Sequence, residues 1–181
     1  MNFLVFGLAG MLRYGIRDKE LSLCILVVSS DVFCEKLSNA LYSCSKKQGR
    51  FKLVIHECRR VQDVINVVVN PRVDFIVFGI DTRVGSCLEE VEEDIKVSSN
   101  TFTLGRTCFV HDDGIKLFEM SVSYNDIWDL QSKYGGYVLA GSVESEAKCL
   151  YLAERILKMI STVSGVNSGL PYIWCPGLNG E

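Results

Sequence analysis

The sequence lacks the excess of basic residues that proteins use to bind nucleic acid. Its 19 Lys and Arg residues are outnumbered by 22 Asp and Glu, which gives a formal net charge of -3. Nucleic-acid surfaces usually show a basic excess or a basic stripe. The short basic groups Lys46–Lys47 and Arg59–Arg60 are too small to reverse this balance, and we interpret them as solvated loop faces. A general phosphate-binding surface is therefore not expected.

Closely spaced metal ligands are also missing. No two of the eight cysteines stand as C-x-x-C, and the two histidines, His56 and His111, are isolated. Zinc sites need four converging ligands, so this spacing disfavours a metal site. Most cysteines lie in apolar runs such as 23–25, where a thiol behaves as a small hydrophobe. A chain with this much core material needs no disulfide framework, so we expect a reducing compartment, the cytosol or nucleus.

Long apolar runs, internal repeats and low-complexity linkers are absent as well. No run reaches the roughly 20 apolar residues of a membrane span. The amino-terminal segment 1–12 imitates a signal peptide but lacks the basic n-region. The chain has 181 residues, of which 48% are hydrophobic and 23% charged, enough for a core and against global disorder. We expect one domain over residues 1–181, with an apolar tail at about 165–181 that need not be ordered.

What the sequence does contain is an alternation of strand-type and helix-type segments. Short apolar runs rich in β-branched residues predict strands buried on both faces, and segments with helical apolar spacing follow them. The predicted strands cover residues 21–28, 51–55, 73–80, 106–110 and 137–140, and the predicted helices begin near residues 31, 84, 123 and 144. The segment 61–69 is ambiguous between helix and extended chain. This order predicts an α/β fold: a three-layer, wound, mainly parallel sheet with helices on both faces, arranged as in a small GTPase.

A nucleotide site in such a sheet would lie at the carboxyl ends of the strands. A phosphate-binding loop reads G-x-x-x-x-G-K-[ST], because glycines let backbone N–H groups surround the phosphates. The loop after the first strand, Ser29–Leu37, has no glycine, and Asp31 adds negative charge. Leu37 follows Lys36, so no hydroxyl is available there for Mg²⁺. A second register, with Phe3–Phe6 as the strand and Gly7–Arg13 as the loop, also lacks the lysine and the glycine spacing.

The residues that follow the later predicted strands do not match the nucleotide-binding motifs of GTPases either. Asp81–Gly85 approaches the D-x-x-G of GTPases but is one residue too long, and we interpret Asp81 and Thr82 as caps of the following helix. His111, Asp112 and Asp113 form an acid–base cluster, yet neighbours on a tight turn do not face a common point.

The remaining charged cluster is acidic. We interpret the carboxylates between residues 89 and 94 as a solvated helix face that could also meet a basic partner. Two enzymatic or ligand-binding alternatives stay open: a divergent GTPase-like protein that still binds nucleotide, and a small enzyme that uses His111 and its flanking aspartates.

Three stretches resemble the centromere protein M family. They are VNPRVDFIVF at 69–78, FTLGRTCF at 102–109, and the last helix with AERIL at 153–157 and VSGV at 163–166. The resemblance implies a pseudo-GTPase without cofactor or catalytic activity. It further implies a nuclear protein of the chromosome's centromere, a kinetochore subunit that binds centromere protein I directly and centromere proteins H and K in one complex.

If binding is the function, exposed apolar residues should carry it. Two segments stand out, the start of one strand and the carboxy-terminal tail. The candidate partner-binding residues are Phe102, Leu104, Leu170, Tyr172, Ile173 and Trp174. No catalytic, cofactor-binding or metal-binding residue is assigned.

Overall fold

A computed structural model of the chain describes residues 22–49, 51–67, 73–99 and 106–165. Its strands form one sheet in the order β2-β1-β3-β4-β5, and every neighbouring pair is parallel. The strands are β1 (Ser22–Val28), β2 (Lys52–Cys58), β3 (Phe75–Ile80), β4 (Thr107–His111) and β5 (Tyr137–Ala140). The helices are α1 (Asp31–Gln48), α2 (Val61–Val67), α3 (Cys87–Ser99), α4 (Tyr124–Tyr134) and α5 (Glu146–Val163). The sheet with helices on both faces confirms the predicted three-layer α/β, small-GTPase-like fold class.

Alternation along each strand divides the core into two layers. Side chains of a strand point to opposite faces in turn, so Ile25 of β1 faces α1 and α5 while Leu26 faces α2, α3 and α4. The first layer is built from the two longest helices, which bury Leu37, Leu41, Leu152 and others completely. Both faces of the central strands are therefore buried, as their continuous apolar runs predict.

The helix ends follow local chemistry. At Gly49 the backbone has φ 61°, the left-handed conformation that favours glycine, and its N–H donates to the Ser45 carbonyl to end α1. At the start of α4, the Ser123 hydroxyl accepts the Asp126 N–H while the Asp126 carboxylate accepts the Ser123 N–H, which together form a capping box. The ambiguous segment beginning at Val61 is helical.

Several predicted elements differ from the structure. The strand predicted over 51–55 runs from Lys52 to Cys58. The helix expected near Val84 begins at Cys87, so Val84 lies outside the helix and is 45% exposed. Residues 137–140 form a strand as predicted, but they are half-buried and not fully buried. The reason is position: β5 is the last strand of the described sheet and has a neighbour on one side.

Among the helices of the described residues, none combines the length and the apolarity that crossing a membrane would require.

Candidate functional site

The carboxyl ends of β1 and β3 enclose a cleft of about 330 Å³. From β1 the chain winds outward to β2 and then returns to the other side of β1 to form β3, so the topological switch point lies between these two strands. Ligands of wound sheets bind at this point. The cleft is lined by residues 29–36, 79–83, 112–119 and 141–144, in each case by only some members of the segment. If the chain bound a nucleotide as GTPases do, it would bind here.

The connection between β1 and α1 is too short to surround a phosphate. Only Ser29 and Ser30 separate Val28, the last strand residue, from Asp31, the first helical residue. The Ser29 N–H donates to the Cys58 carbonyl and the Ser29 hydroxyl donates to the Gly79 carbonyl, each at 3.1 Å. Both donors are thus used to join β1 to its neighbours. A two-residue connection with these donors engaged offers no series of free backbone N–H groups like that of a phosphate-binding loop.

The ring of Phe33, in the first turn of α1, lies against the end of β3. A Cβ atom added at Gly79 would lie 2.6 Å from Phe33 Cε1 and 2.6 Å from the Ser29 hydroxyl. Side chains larger than hydrogen therefore do not fit at Gly79 without displacing the ring. An aromatic side chain packs where α1 and β3 meet, the position at which a phosphate-binding protein places backbone N–H groups.

The charges around the cleft are unfavourable for phosphate. Four carboxylates line it, from Asp81, Asp112, Glu119 and Glu144, against the two cations Lys36 and Arg83. The Arg83 guanidinium donates to both Asp81 oxygens at 2.8 Å and holds the pKa of that carboxyl below its usual range. Once this pair is neutralised, three carboxylates face one lysine, so a phosphate entering the cleft meets net repulsion.

The segment after β3 has a structural role instead of the predicted capping role. Asp81 and Thr82 do not cap α3, because turns over residues 82–86 separate them from Cys87. The Thr82 carbonyl accepts the N–H groups of Ser121 and Val122 at 2.8 and 3.0 Å. The region that resembles D-x-x-G therefore ties the loop after β3 to the loop after β4.

The acid–base cluster does not converge. His111 is buried against the Tyr124 ring, with ring centroids 5.0 Å apart, and burial lowers its pKa. Asp112 turns toward the cleft, where it accepts the Ser142 hydroxyl and the Gly114 N–H. Asp113 is exposed. The described geometry brings no second catalytic group to His111, which agrees with the expectation that neighbours on this turn diverge.

Arg60, predicted to lie on a solvated loop face, forms an ion pair with Asp94, predicted to lie on a solvated helix face. The Arg60 Nε donates to both Asp94 oxygens at 3.1 and 3.2 Å, and its Nη2 donates to Glu93 at 2.8 Å. The Asp94 side chain is only 4% exposed, so Asp94 is not part of a solvated acidic face and Arg60 is not a free loop cation. Burial outweighs the arginine and raises the pKa of Asp94. The pairing joins α2 to α3 across 34 residues, a separation that no local pattern reveals.

Two further charged residues of these clusters are also paired. Glu92 is half-buried and accepts a hydrogen bond from the Lys133 ammonium of α4 at 3.0 Å. Arg59 donates to the Asp31 carboxylate from its Nε at 2.7 Å, although both side chains are about 70% exposed. The solvated-face interpretation holds for Arg59 and is wrong for Glu92.

The cysteines behave as core residues. The seven within the described residues carry free thiols, and six of them are buried. Burial raises the pKa of Cys34 to about 11 and that of Cys58 to about 12, so these thiols are protonated at neutral pH. A protonated thiol is a poor nucleophile and metal ligand. Within the described ranges, no three His, Cys, Asp or Glu side chains are grouped so that they could hold a metal ion.

The predicted partner-binding residues Phe102, Leu104, Leu170, Tyr172, Ile173 and Trp174 lie outside the described residues. So does the alternative glycine-containing loop 7–13. The sequence did not identify Phe33 as a residue of the cleft, because an aromatic residue on the apolar face of a predicted helix is usually part of the hydrophobic core. The glycine at 79, inside an otherwise bulky strand, was the signal of a close approach.

Fold and cleft together define a class: a small-GTPase-like α/β protein whose described switch point carries no phosphate-binding loop. Comparison with known proteins narrows this class. The model of the family Centromere protein M (CENP-M) matches residues 16–175, and the chain belongs to that family. It is 22% identical to Centromere protein M of Homo sapiens over 141 residues, which cover 78% of this chain and 76% of the human protein.

Proposed function

We propose that this chain is a non-catalytic structural subunit of the inner kinetochore, acting as a single domain at the centromere of nuclear chromosomes. The observation that carries the proposal is the family match over residues 16–175. The family is named for the centromere, and the cleft supports a role other than catalysis. A fold retained without its usual ligand chemistry is best explained as a surface for other proteins.

The proposed partners are centromere proteins I, H and K, with centromere protein I as the direct contact. Support comes from the resemblance of residues 69–78 and 102–109 to this family, and from the apolar character of the tail after residue 165. Apolar and aromatic residues dominate the energetics of protein interfaces. We therefore propose that Leu104 and Leu170 lie at the contact with centromere protein I, together with the neighbouring aromatic residues of their segments.

The test is a pull-down with the centromere protein I homologue. Leu104→Glu and Leu170→Glu, introduced singly, should each abolish capture, because a carboxylate buried in an apolar interface is strongly unfavourable. Circular dichroism should show an unchanged fold.

Leu117→Glu provides the matched control. Leu117 is 77% exposed in the 3₁₀ turn Leu117–Glu119, so the same substitution adds the same charge to an exposed leucine elsewhere. This variant should retain capture. Capture retained by both Leu104→Glu and Leu170→Glu would contradict the proposed interface, and failure of the unmodified chain to capture centromere protein I would contradict the proposed partner.

A further inference from the structure

A second cavity, of about 320 Å³, lies between α1 and the amino end of α5. It shares Lys36, Val143 and Glu144 with the switch-point cleft. The two cavities are therefore neighbours along one surface, and together we call them the α1–α5 groove.

The floor of the groove is apolar and held by specific contacts. Ala40 and Cys149 form buried parts of it, 7% and 5% exposed, and Val143 and Leu150 are half-buried at its sides. The Cys149 thiol donates to the Lys36 carbonyl at 3.4 Å, which joins the two helices beneath the groove. A floor of this kind offers room for the apolar side chains of a ligand without rearrangement of α1 or α5.

The rim of the groove is acidic. Glu144 and Glu146 are exposed beside the α5 end, and Glu119 and Asp112 continue the negative charge into the cleft. Arg83 is already paired with Asp81. Among the described residues that line the two cavities, four carboxylates and the cation Lys36 therefore remain, with Lys36 at the junction.

We infer that the α1–α5 groove binds a basic amphipathic helix of a partner protein. An apolar floor between two helices suits the apolar stripe of a third helix. The carboxylates on the rim complement lysine and arginine side chains, whose aliphatic stems cover apolar surface while their charged ends reach outward. Nucleic acid and other phosphate-rich ligands are disfavoured by the same carboxylates, and a second copy of this chain would bring its own net charge of -3. The inference does not depend on the proposed kinetochore role.

The experiment uses the full chain and a fluorescein-labelled 18-residue peptide of leucine, alanine and lysine, with the leucines along one helical stripe. The comparison peptide carries glutamate in place of lysine. Fluorescence anisotropy should show saturable binding of the lysine peptide and none of the glutamate peptide. Amide resonances of Ala40, Ser43 and Leu150 should shift on titration, and those of α3 and α4 should stay in place.

Glu144→Lys/Glu146→Lys should weaken binding about tenfold or more, since two attractive pairs become repulsive. The matched control is Glu89→Lys/Asp129→Lys, which changes the same charge on exposed positions of α3 and α4 and should leave affinity within about twofold. Ala40→Leu fills the floor without changing any charge and should weaken binding as well. All of these variants except Ala40→Leu alter exposed residues, so the fold should be retained.

Several results would overturn the inference. Equal binding of both peptides, or equal loss in the control variant, would show non-specific attraction. A concentration-dependent dimer that Glu144→Lys/Glu146→Lys abolishes would assign the groove to a second copy. Nuclear Overhauser contacts between the basic stretch 13–19 and Val143 in the free chain would show that the chain fills its own groove.

Discussion

The two helical layers cover the same sheet by different means. The α1/α5 layer packs two 18-residue helices against the sheet through aliphatic side chains and thiols, with Ile156, Leu157 and Ile160 fully buried. The layer of α2, α3 and α4 is made of shorter helices that also depend on charge: Arg60 with Asp94, and Lys133 with Glu92. We therefore expect substitutions in the α1/α5 layer to change stability by an amount that depends little on salt, and substitutions at the ion pairs of the other layer to depend on it more.

The same contrast bears on function. The α1/α5 layer borders the switch-point cleft and contributes Phe33, whose ring packs against Gly79 at the end of β3. The other layer contains Glu92 and Asp94, which the sequence pattern assigned to a solvated face and which the structure pairs with Lys133 and Arg60. Variants in each layer should therefore fail in different ways, and four substitutions separate them.

The largest effect is expected in the α1/α5 layer. Ile156→Ala removes a side chain with 0% exposure, and the cavity left behind should lower the free energy of unfolding by about 3 kcal/mol. Urea denaturation measures this loss, which should be the same at low and high salt. The exposed Lys158→Ala on the same helix should change stability by less than about 0.5 kcal/mol. A loss for Ile156→Ala that depends strongly on salt would break the contrast between the layers.

The next largest loss of stability is expected for the ion pair between Arg60 and Asp94, in the layer of α2, α3 and α4. Asp94→Ala leaves Arg60 with the exposed Glu93 carboxylate and the Glu90 carbonyl as acceptors, and it removes the acceptor of the Val61 N–H. The free energy of unfolding should therefore fall by about 2–3 kcal/mol. Glu93→Ala is the matched control and should lose less than about 1 kcal/mol, because Glu93 is 67% exposed. Equal losses in both variants would mean that burial of Asp94 has no special weight.

A smaller loss of stability is expected where the Phe33 ring packs against Gly79. Gly79→Ala places a Cβ 2.6 Å from the Phe33 ring and should reduce stability by about 1–3 kcal/mol. Adding Phe33→Leu should restore part of that loss, since the smaller side chain makes room. Thermal unfolding of the single and double variants measures the coupling. Strictly additive effects would contradict direct contact between Phe33 and Gly79.

The smallest effect is a pH dependence. Burial lowers the pKa of His111 below its ordinary value of 6.5, so the folded state favours the neutral ring. The unfolded chain then binds more protons below about pH 6.5, and stability is lost as pH falls through that value. His111→Phe should flatten the dependence of unfolding free energy between about pH 7.5 and pH 5.5. An unchanged pH dependence in His111→Phe would contradict the assignment to His111.

The sheet was predictable because its central strands are short apolar runs whose period and β-branched content leave few alternatives. The capping box at Ser123 and the end of α1 at Gly49 were predictable because each depends on residues no more than four positions apart. The Arg60–Asp94 pair was not, because charged residues 34 positions apart give no local signal of meeting. The half-burial of β5 depends on which strand lies at the edge, and strand order is not written in any single segment.

The central claim is that the switch-point cleft of this fold no longer binds nucleotide. Titration of the chain with fluorescent GTP or ATP in the presence of Mg²⁺ tests it directly. The account predicts no saturable signal, because the loop after β1 has only two residues, the Phe33 ring packs beside it, and carboxylates outnumber cations among the described residues that line the cleft. Saturable binding in the micromolar range would contradict it and would favour a divergent nucleotide-binding protein.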